Sequence, residues 1–145
     1  PDDPPVESLG GVPRIFRNFD GYRRAMEIAR SDNFGVCLCV GTWAEGGRML
    51  GKDVFEMIRY YGPRKKIWKV HFRNVDQPLP KFREVFLDEG YLDMYQVVRA
   101  LREVNFDGVM IPDHVPGDMP TISSAYTIGY MRALRERANA EFRRG

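Results

Sequence analysis

The sequence contains only two cysteines among its 145 residues, and Cys37 and Cys39 lie two positions apart in one short apolar run. Small secreted domains that rely on disulfides carry many more cysteines, so the chain does not belong to that class. Two cysteines this close on a strand are poorly placed for a structural disulfide. We therefore expect two reduced thiols and a cytoplasmic protein.

Long apolar runs and an excess of one charge are also missing. No stretch approaches the ~18 apolar residues of a membrane span. The 22 basic side chains face 20 acidic ones, which gives a formal net charge of +2. We therefore expect neither a membrane nor a nucleic acid as partner. With 43% hydrophobic and 29% charged residues, the composition is that of one globular domain.

Three short apolar segments carry the strand signal, and segments with apolar residues at helical spacing separate them. The strands are predicted at residues 34–40 (FGVCLCV), 67–75 (IWKVHFRNV) and 107–114 (DGVMIPDH). The helices are predicted at about 19–31, 54–61, 93–104 and from Ser123 or Ser124 to about Phe142. Irregular chain is predicted at 1–17, 41–51 and 76–92.

This alternation predicts an α/β fold with a parallel sheet. The predicted strands begin far enough apart for the ~30 residues that a right-handed strand–helix–strand unit needs. Three strands cannot close a barrel, and an eight-stranded TIM barrel needs ~250 residues. Two architectures therefore remain, a small three-layer domain or the last third to half of a barrel. The chain begins with Pro-Asp-Asp-Pro-Pro rather than Met, so we expect a processed or truncated chain without a secretory leader.

Each predicted strand ends in a side chain that binds metals. The first ends at Cys39, the second carries His71, and the third ends at Asp113 and His114. Because the carboxyl ends of parallel strands converge on one site, we expect these side chains to lie together. One thiolate, one imidazole and one carboxylate suit Zn, Fe or Mn, and three protein ligands leave open positions for a substrate.

Structural roles stay open for each of these residues taken singly. A strand cysteine is often a small core residue, a histidine at a strand end often only forms hydrogen bonds, and a junction aspartate is often a cap. Tyr126, near the predicted start of the last helix, is either a packing residue or a proton-transfer candidate whose ionisation the helix terminus eases. Lys69 shares the face of His71, so it needs an acidic partner unless strand twist carries it to the edge.

Several short motifs then occur in the order found in one enzyme family. They are PDDPP at 1–5, the cysteine strand followed by Gly41-Thr42, VHFRN at 70–74, LDMY at 92–95, PDH at 112–114 and AYTIGYMRAL at 125–134. The chain resembles the carboxyl-terminal part of mannonate dehydratases, which are metal-dependent TIM-barrel lyases related to the xylose-isomerase-like barrels. The resemblance implies that residues 1–145 form the C-terminal half of a single TIM (β/α)8 barrel whose N-terminal half is absent from this chain.

The resemblance also implies an activity, the removal of water from D-mannonate to give 2-keto-3-deoxy-D-gluconate in hexuronate (glucuronate) catabolism. Its cofactor is a divalent metal, Mn or Fe(II). The matching metal ligands are Cys39, His71 and Asp113, and a further histidine ligand is expected immediately before Pro1. By the same match, His114 and Tyr126 are the catalytic acid and base in an order left open, and Arg73 holds the substrate carboxylate as a fork.

Two alternatives stand beside this hypothesis. One is a metal-dependent sugar isomerase or epimerase of the related barrels, which shares the ligands but releases no water. The other is a non-catalytic fragment that needs a partner. A parallel sheet with open edge strands must be covered, so we expect a homo-oligomer or completion by the missing N-terminal half. We expect no activity from this piece alone, and a small-molecule sugar acid as substrate of the whole.

Overall fold

The computed structural model describes residues 1–143, so the last two residues of the predicted domain lie outside the described residues. The strands in this range are β1 Ser8–Leu9, β2 Val12–Pro13, β3 Val36–Cys39, β4 Ile67–Phe72, β5 Asn74–Val75, β6 Glu84–Val85 and β7 Val109–Pro112. The helices are α1 Phe19–Ala29, α2 Val40–Gly46, α3 Val54–Tyr61, α4 Met94–Glu103 and α5 Pro120–Phe142, with a 3-10 turn at Gly47–Leu50.

The sheet that organises the molecule consists of β3, β4 and β7, which are parallel and lie in the order β3–β4–β7. The register pairs Cys39 with His71, and His71 with Ile111. The carboxyl ends of the three strands therefore lie at one edge of the sheet. This arrangement confirms the predicted α/β class with a parallel sheet. The described residues supply three strands of this sheet, which are too few to close a barrel.

The two faces of this sheet differ sharply. Leu38, Val70 and Phe72 on one face are buried in a core shared with apolar side chains of the helices. Burial of such side chains stabilises the fold by about 1.5–3 kcal/mol each. On the other face Lys69 is exposed, and its paired neighbour Val109 is 60% exposed. Lys69 is thus in solvent, and it shares the face of His71 as predicted.

Local signals set where most helices begin. Asn18 caps α1 by accepting a hydrogen bond from the backbone amide of Gly21, as the sequence predicts. Asp93 caps α4 in the same way. Asp53 and Glu56 form a capping box at the start of α3, which satisfies two otherwise unpaired backbone donors. Each such cap stabilises its helix by about 1 kcal/mol.

The prediction of a loop over residues 41–51 is wrong. The segment contains α2 and the 3-10 turn, and every residue of α2 is buried. Sγ of Cys39 caps this helix by accepting a hydrogen bond from the backbone amide of Thr42, at 3.4 Å. The glycines of this segment disfavour a helix in isolation. They also let its backbone pack closely against the rest of the fold, and this packing favours the helix.

The last helix begins earlier than predicted, at Pro120 rather than Ser123 or Ser124. Proline suits the first helical position because the amide that it lacks would have no partner there. The predicted irregular segment 76–92 is mostly irregular, but it contains β6, which pairs antiparallel with β5. In residues 1–143, no helix combines the length and the apolar character needed to cross a membrane.

Candidate metal centre

Three predicted ligands converge at the carboxyl edge of the sheet. Cys39 ends β3, His71 lies in β4, and Asp113 directly follows β7. Their ligating atoms all lie within 4.8 Å of one another. Sγ of Cys39 donates a hydrogen bond to Oδ2 of Asp113 at 3.6 Å, and Nδ1 of His71 lies 3.5 Å from the same oxygen. The sequence prediction that these residues meet is confirmed, and their ligation of a metal stays a prediction.

The chemistry of this cluster fits a divalent cation. Nε2 of His71 is buried and has no hydrogen-bond partner among residues 1–143, and a buried polar atom left in that state is costly. Burial lowers the pKa of His71, which favours the neutral imidazole that metals bind. Burial raises the pKa of the Cys39 thiol, with Arg73 acting in the opposite direction. Metal binding to this set therefore releases a thiol proton.

Arg73 lies two residues beyond His71 and is surrounded by acidic side chains. Its side chain is only 2% exposed. Nη2 lies 2.5 Å from Oδ2 of Asp3, Nη1 lies 2.6 Å from Oε1 of Glu45, and Nε lies 3.3 Å from Oδ2 of Asp113. The family resemblance implies that Arg73 holds a substrate carboxylate as a fork. In the structure the fork is buried, and its nitrogens face carboxylates of the chain itself.

Burial and ion pairing have opposite effects on the pKa values of Arg73 and Glu45. Burial alone would lower the pKa of Arg73, but Cys39, Glu45 and Asp3 raise it, so the guanidinium stays charged. Burial raises the pKa of Glu45 to about 7, although the positive charge of Arg73 opposes that rise. The pKa of Glu45 therefore lies near neutral pH, whereas Arg73 stays protonated at that pH.

His114 adjoins the predicted ligand Asp113 and is half-exposed. Its backbone is left-handed, with φ of 44°, a conformation uncommon outside glycine. Nδ1 shares a hydrogen bond of 2.5 Å with Oε1 of Glu84, and Nε2 lies 4.0 Å from Oδ1 of Asp113. The hydrogen bond to Glu84 raises the pKa of His114. The structure thus places this predicted catalytic histidine beside the cluster and favours its protonated form.

Tyr126 lies on α5, and its side chain contacts residues outside the Cys39–His71–Asp113 cluster. Its hydroxyl donates a hydrogen bond to Oδ2 of Asp88 at 2.6 Å, and its ring packs edge-on against Phe86 and stacks with Tyr130. The hydrogen bond to Asp88 raises the pKa of Tyr126, so the expected easing of its ionisation is wrong. Because α5 begins at Pro120, Tyr126 lies in its second turn, beyond the reach of the helix terminus.

Sequence reasoning misses Glu45 and Glu84 and assigns no role to Asp3. Glu45 lies in the segment predicted as a loop, and Glu84 lies in the one predicted as irregular. One signal was available, since an arginine directly after a buried strand must be paired with acids. That signal requires partners but does not say which acids in the chain supply them.

Comparisons with known proteins agree with the geometry. The family model of D-mannonate dehydratase (UxuA) matches residues 1–142. The chain belongs to the D-mannonate dehydratase family. The mannonate dehydratase of Oceanobacillus iheyensis is 37% identical over 120 residues, which cover 79% of this chain and 32% of that protein. That of Streptococcus uberis is 35% identical over 117 residues, with coverage of 79% and 32%.

A solved structure extends the likeness to the fold. The crystal structure of mannonate dehydratase from Streptococcus suis serotype2 matches with a TM-score of 0.82 and 30% identity, and the match covers 95% of this chain and 42% of that chain. The chain spans about a third of the length of the curated mannonate dehydratases that it matches. The resemblance seen in the motifs is therefore confirmed at the level of a hydro-lyase family.

Proposed function

We propose that this chain is the metal-binding C-terminal part of a TIM-barrel dehydratase that converts D-mannonate to 2-keto-3-deoxy-D-gluconate and water, in hexuronate catabolism. One observation carries the proposal: Cys39, His71 and Asp113 meet at the carboxyl edge of three adjacent parallel strands. Support comes from the relatives in Oceanobacillus iheyensis and Streptococcus uberis, which bear the name mannonate dehydratase.

Each residue of the cluster has a defined task in this proposal. Cys39, His71 and Asp113 hold Mn or Fe(II). A divalent cation held there supplies Lewis-acid polarisation of substrate oxygens. His114 and Tyr126 share the two proton transfers, in which one takes the proton from C2 and the other protonates the departing C3 hydroxyl. Glu84 and Asp88 orient these two side chains through the hydrogen bonds described above.

The proposal also requires the rest of a barrel. The face of the sheet that carries Lys69 and Val109 is open, and the matched relatives are about three times as long as their matched part. We therefore infer that further strand–helix units cover this face, either from an N-terminal half or within a homo-oligomer, and that they supply another histidine ligand. The two free thiols support a cytoplasmic location.

A chimeric enzyme tests the proposal directly. This chain replaces the matched 32% of the Oceanobacillus iheyensis mannonate dehydratase, and the chimera is incubated with D-mannonate and Mn(II) or Fe(II). We expect a 2-keto acid to form, and we expect an Asp113→Asn chimera to form none. Conversion to an isomeric sugar acid without a keto acid would favour the isomerase or epimerase hypothesis. No conversion by a metal-loaded chimera would reject D-mannonate as the substrate.

A further inference from the structure

Glu45 is a fully buried acid that none of the predicted roles uses. It lies on α2 and is 0% exposed, and both of its carboxylate oxygens lack an aligned hydrogen bond among the described residues. Nη1 of Arg73 lies 2.6 Å from its Oε1, and Asp3 is a further charged neighbour. The contact with Arg73 is an attraction of charges that lies off the N–H direction. Burying a carboxylate on such terms is costly.

The side chain of Arg73 is buried and closely surrounded by other groups. A Cβ at Gly41 would lie 2.3 Å from Cγ and 2.6 Å from Nη1 of Arg73, so the backbone of α2 presses directly on the side chain. Glu45, one turn further along α2, lies 2.6 Å from Nη1, and Oε1 of Glu84 lies 3.4 Å from the same nitrogen. On the other side, Nη2 donates hydrogen bonds to Oδ2 of Asp3 and, at 3.1 Å, to Oγ1 of Thr42.

The remaining nitrogen of Arg73 reaches the candidate metal centre. Nε lies 3.3 Å from Oδ2 of Asp113, a contact between opposite charges that lacks an aligned hydrogen bond. The same oxygen faces Sγ of Cys39 and Nδ1 of His71. We propose that Glu45 is a positioning residue that, by holding Arg73, directs Oδ2 of Asp113 toward the other two metal ligands. This inference rests on the proposed metal centre and goes beyond it. Partners outside the ligand set generally orient ligands and tune affinity in this way.

The proposal assigns Arg73 a different task from the one expected of it. A guanidinium held by Glu45 and Asp3 and aimed at Asp113 is part of the support of the ligands. Contact with a substrate carboxylate would require it to leave these acids. The two tasks predict different results when Glu45 is changed, because metal affinity depends on Glu45 only if Arg73 positions Asp113.

Cobalt binding to the chimera described above separates these possibilities, because the rest of the barrel supplies the further histidine ligand. The chimera is titrated with Co(II), whose thiolate charge-transfer band reports Cys39 and whose ligand-field bands report the oxygen and nitrogen ligands. We expect Glu45→Gln to weaken Co(II) affinity by about 10–100-fold and to shift the ligand-field bands toward those of Asp113→Asn. Glu103→Gln is the matched control, because Glu103 pairs with Arg99 at 3.3 Å on the exposed face of α4, and its binding should equal that of the parent chimera.

The outcomes are distinct. Parent-like affinity and bands in Glu45→Gln would overturn the positioning role and leave the metal centre standing. A parent chimera without the thiolate band would overturn both. If circular dichroism shows that Glu45→Gln does not fold, Glu45→Asp takes its place, since it keeps the charge but withdraws the carboxylate from Nη1 by one methylene. Weakened Co(II) binding by that variant is the expected result, and parent-like binding would overturn the proposal.

Discussion

Nε of the buried Arg73 lies 3.3 Å from Oδ2 of Asp113. The same oxygen lies 3.5 Å from Nδ1 of His71. The carboxylate is therefore held on one side by a buried cation and on the other by a ligand atom. Side chains fixed in this way by their neighbours form a preorganised site, and the following predictions depend on that arrangement.

The two cysteines give a matched pair of variants. Cys39→Ser should abolish the thiolate charge-transfer band of the Co(II)-loaded chimera, because Sγ of Cys39 is one of the clustered candidate ligand atoms. Cys37→Ser makes the same chemical change two residues away on β3, at a partly buried position outside the cluster, and should retain the band. Absorption spectra of the two variants decide the matter. Loss of the band in Cys37→Ser instead would place the metal elsewhere.

The two histidines should titrate on opposite sides of an ordinary imidazole pKa of about 6.5. Burial lowers the pKa of His71, and the hydrogen bond to Glu84 raises that of His114. The chain has only these two histidines, so their ring resonances can be followed by NMR across pH in the metal-free chain. Glu84→Gln should lower the pKa of His114 and leave that of His71 nearly unchanged.

The sign of the linked stability follows from the same shift. Since the folded pKa of His114 is raised, its pairing with Glu84 stabilises the fold fully below the unfolded pKa and is lost as pH rises through the folded value. His114 is half-exposed, so solvent screening keeps this contribution small. Urea unfolding at several pH values should show that Glu84→Gln loses more stability at pH 5 than at pH 9. An equal loss at both pH values would contradict the pairing.

Tyr126 should be required for turnover but not for metal binding. Tyr126→Phe in the chimera removes the hydroxyl, and loss of one proton-transfer group lowers rates by about 10²–10⁴-fold. Tyr130→Phe is the control, because Tyr130 stacks on Tyr126 and loses the same atom. Metal content and turnover should be measured on both. Retained turnover in Tyr126→Phe would remove this residue from the mechanism.

Two glycines in helices should respond to alanine in opposite directions. Gly41→Ala places a Cβ 2.3 Å from Cγ of Arg73, and such overpacking costs about 1–3 kcal/mol. Gly129 lies on α5 with no atom within 4 Å of an added Cβ, so Gly129→Ala should stabilise the helix by about 0.5–1 kcal/mol. Urea denaturation gives both free energies of unfolding. Equal effects would show that Gly41 is not in close contact with Arg73.

The sheet and its ligand set follow from local sequence because their signals are local. Apolar runs mark β3, β4 and β7, and each run carries its predicted ligand within one residue of its carboxyl end. Parallel pairing then brings Cys39, His71 and Asp113 together without further information. The order of the short motifs supplies the family, which no single strand or helix signals.

Partners of these residues do not follow from local sequence. Glu45 meets Arg73, and Glu84 meets His114, only after distant segments have packed. The helix that carries Glu45 forms because it is buried, although its glycines favour a loop. One of the two roles left open for Tyr126 relies on the positive end of α5 to ease its ionisation. The helix begins about one turn earlier than predicted, at Pro120, so Tyr126 lies too far from that end.

The strand order β3–β4–β7 has a consequence for the timing of assembly. Strand β4 pairs with β3 only after the intervening helices have been made, and Asp113 follows the last strand to be added. Contacts between such distant segments form slowly, and a ribosome delivers the segments in chain order. Cys39 therefore emerges from the ribosome 74 residues before Asp113, and the three clustered side chains come together only after β7 has paired with β4.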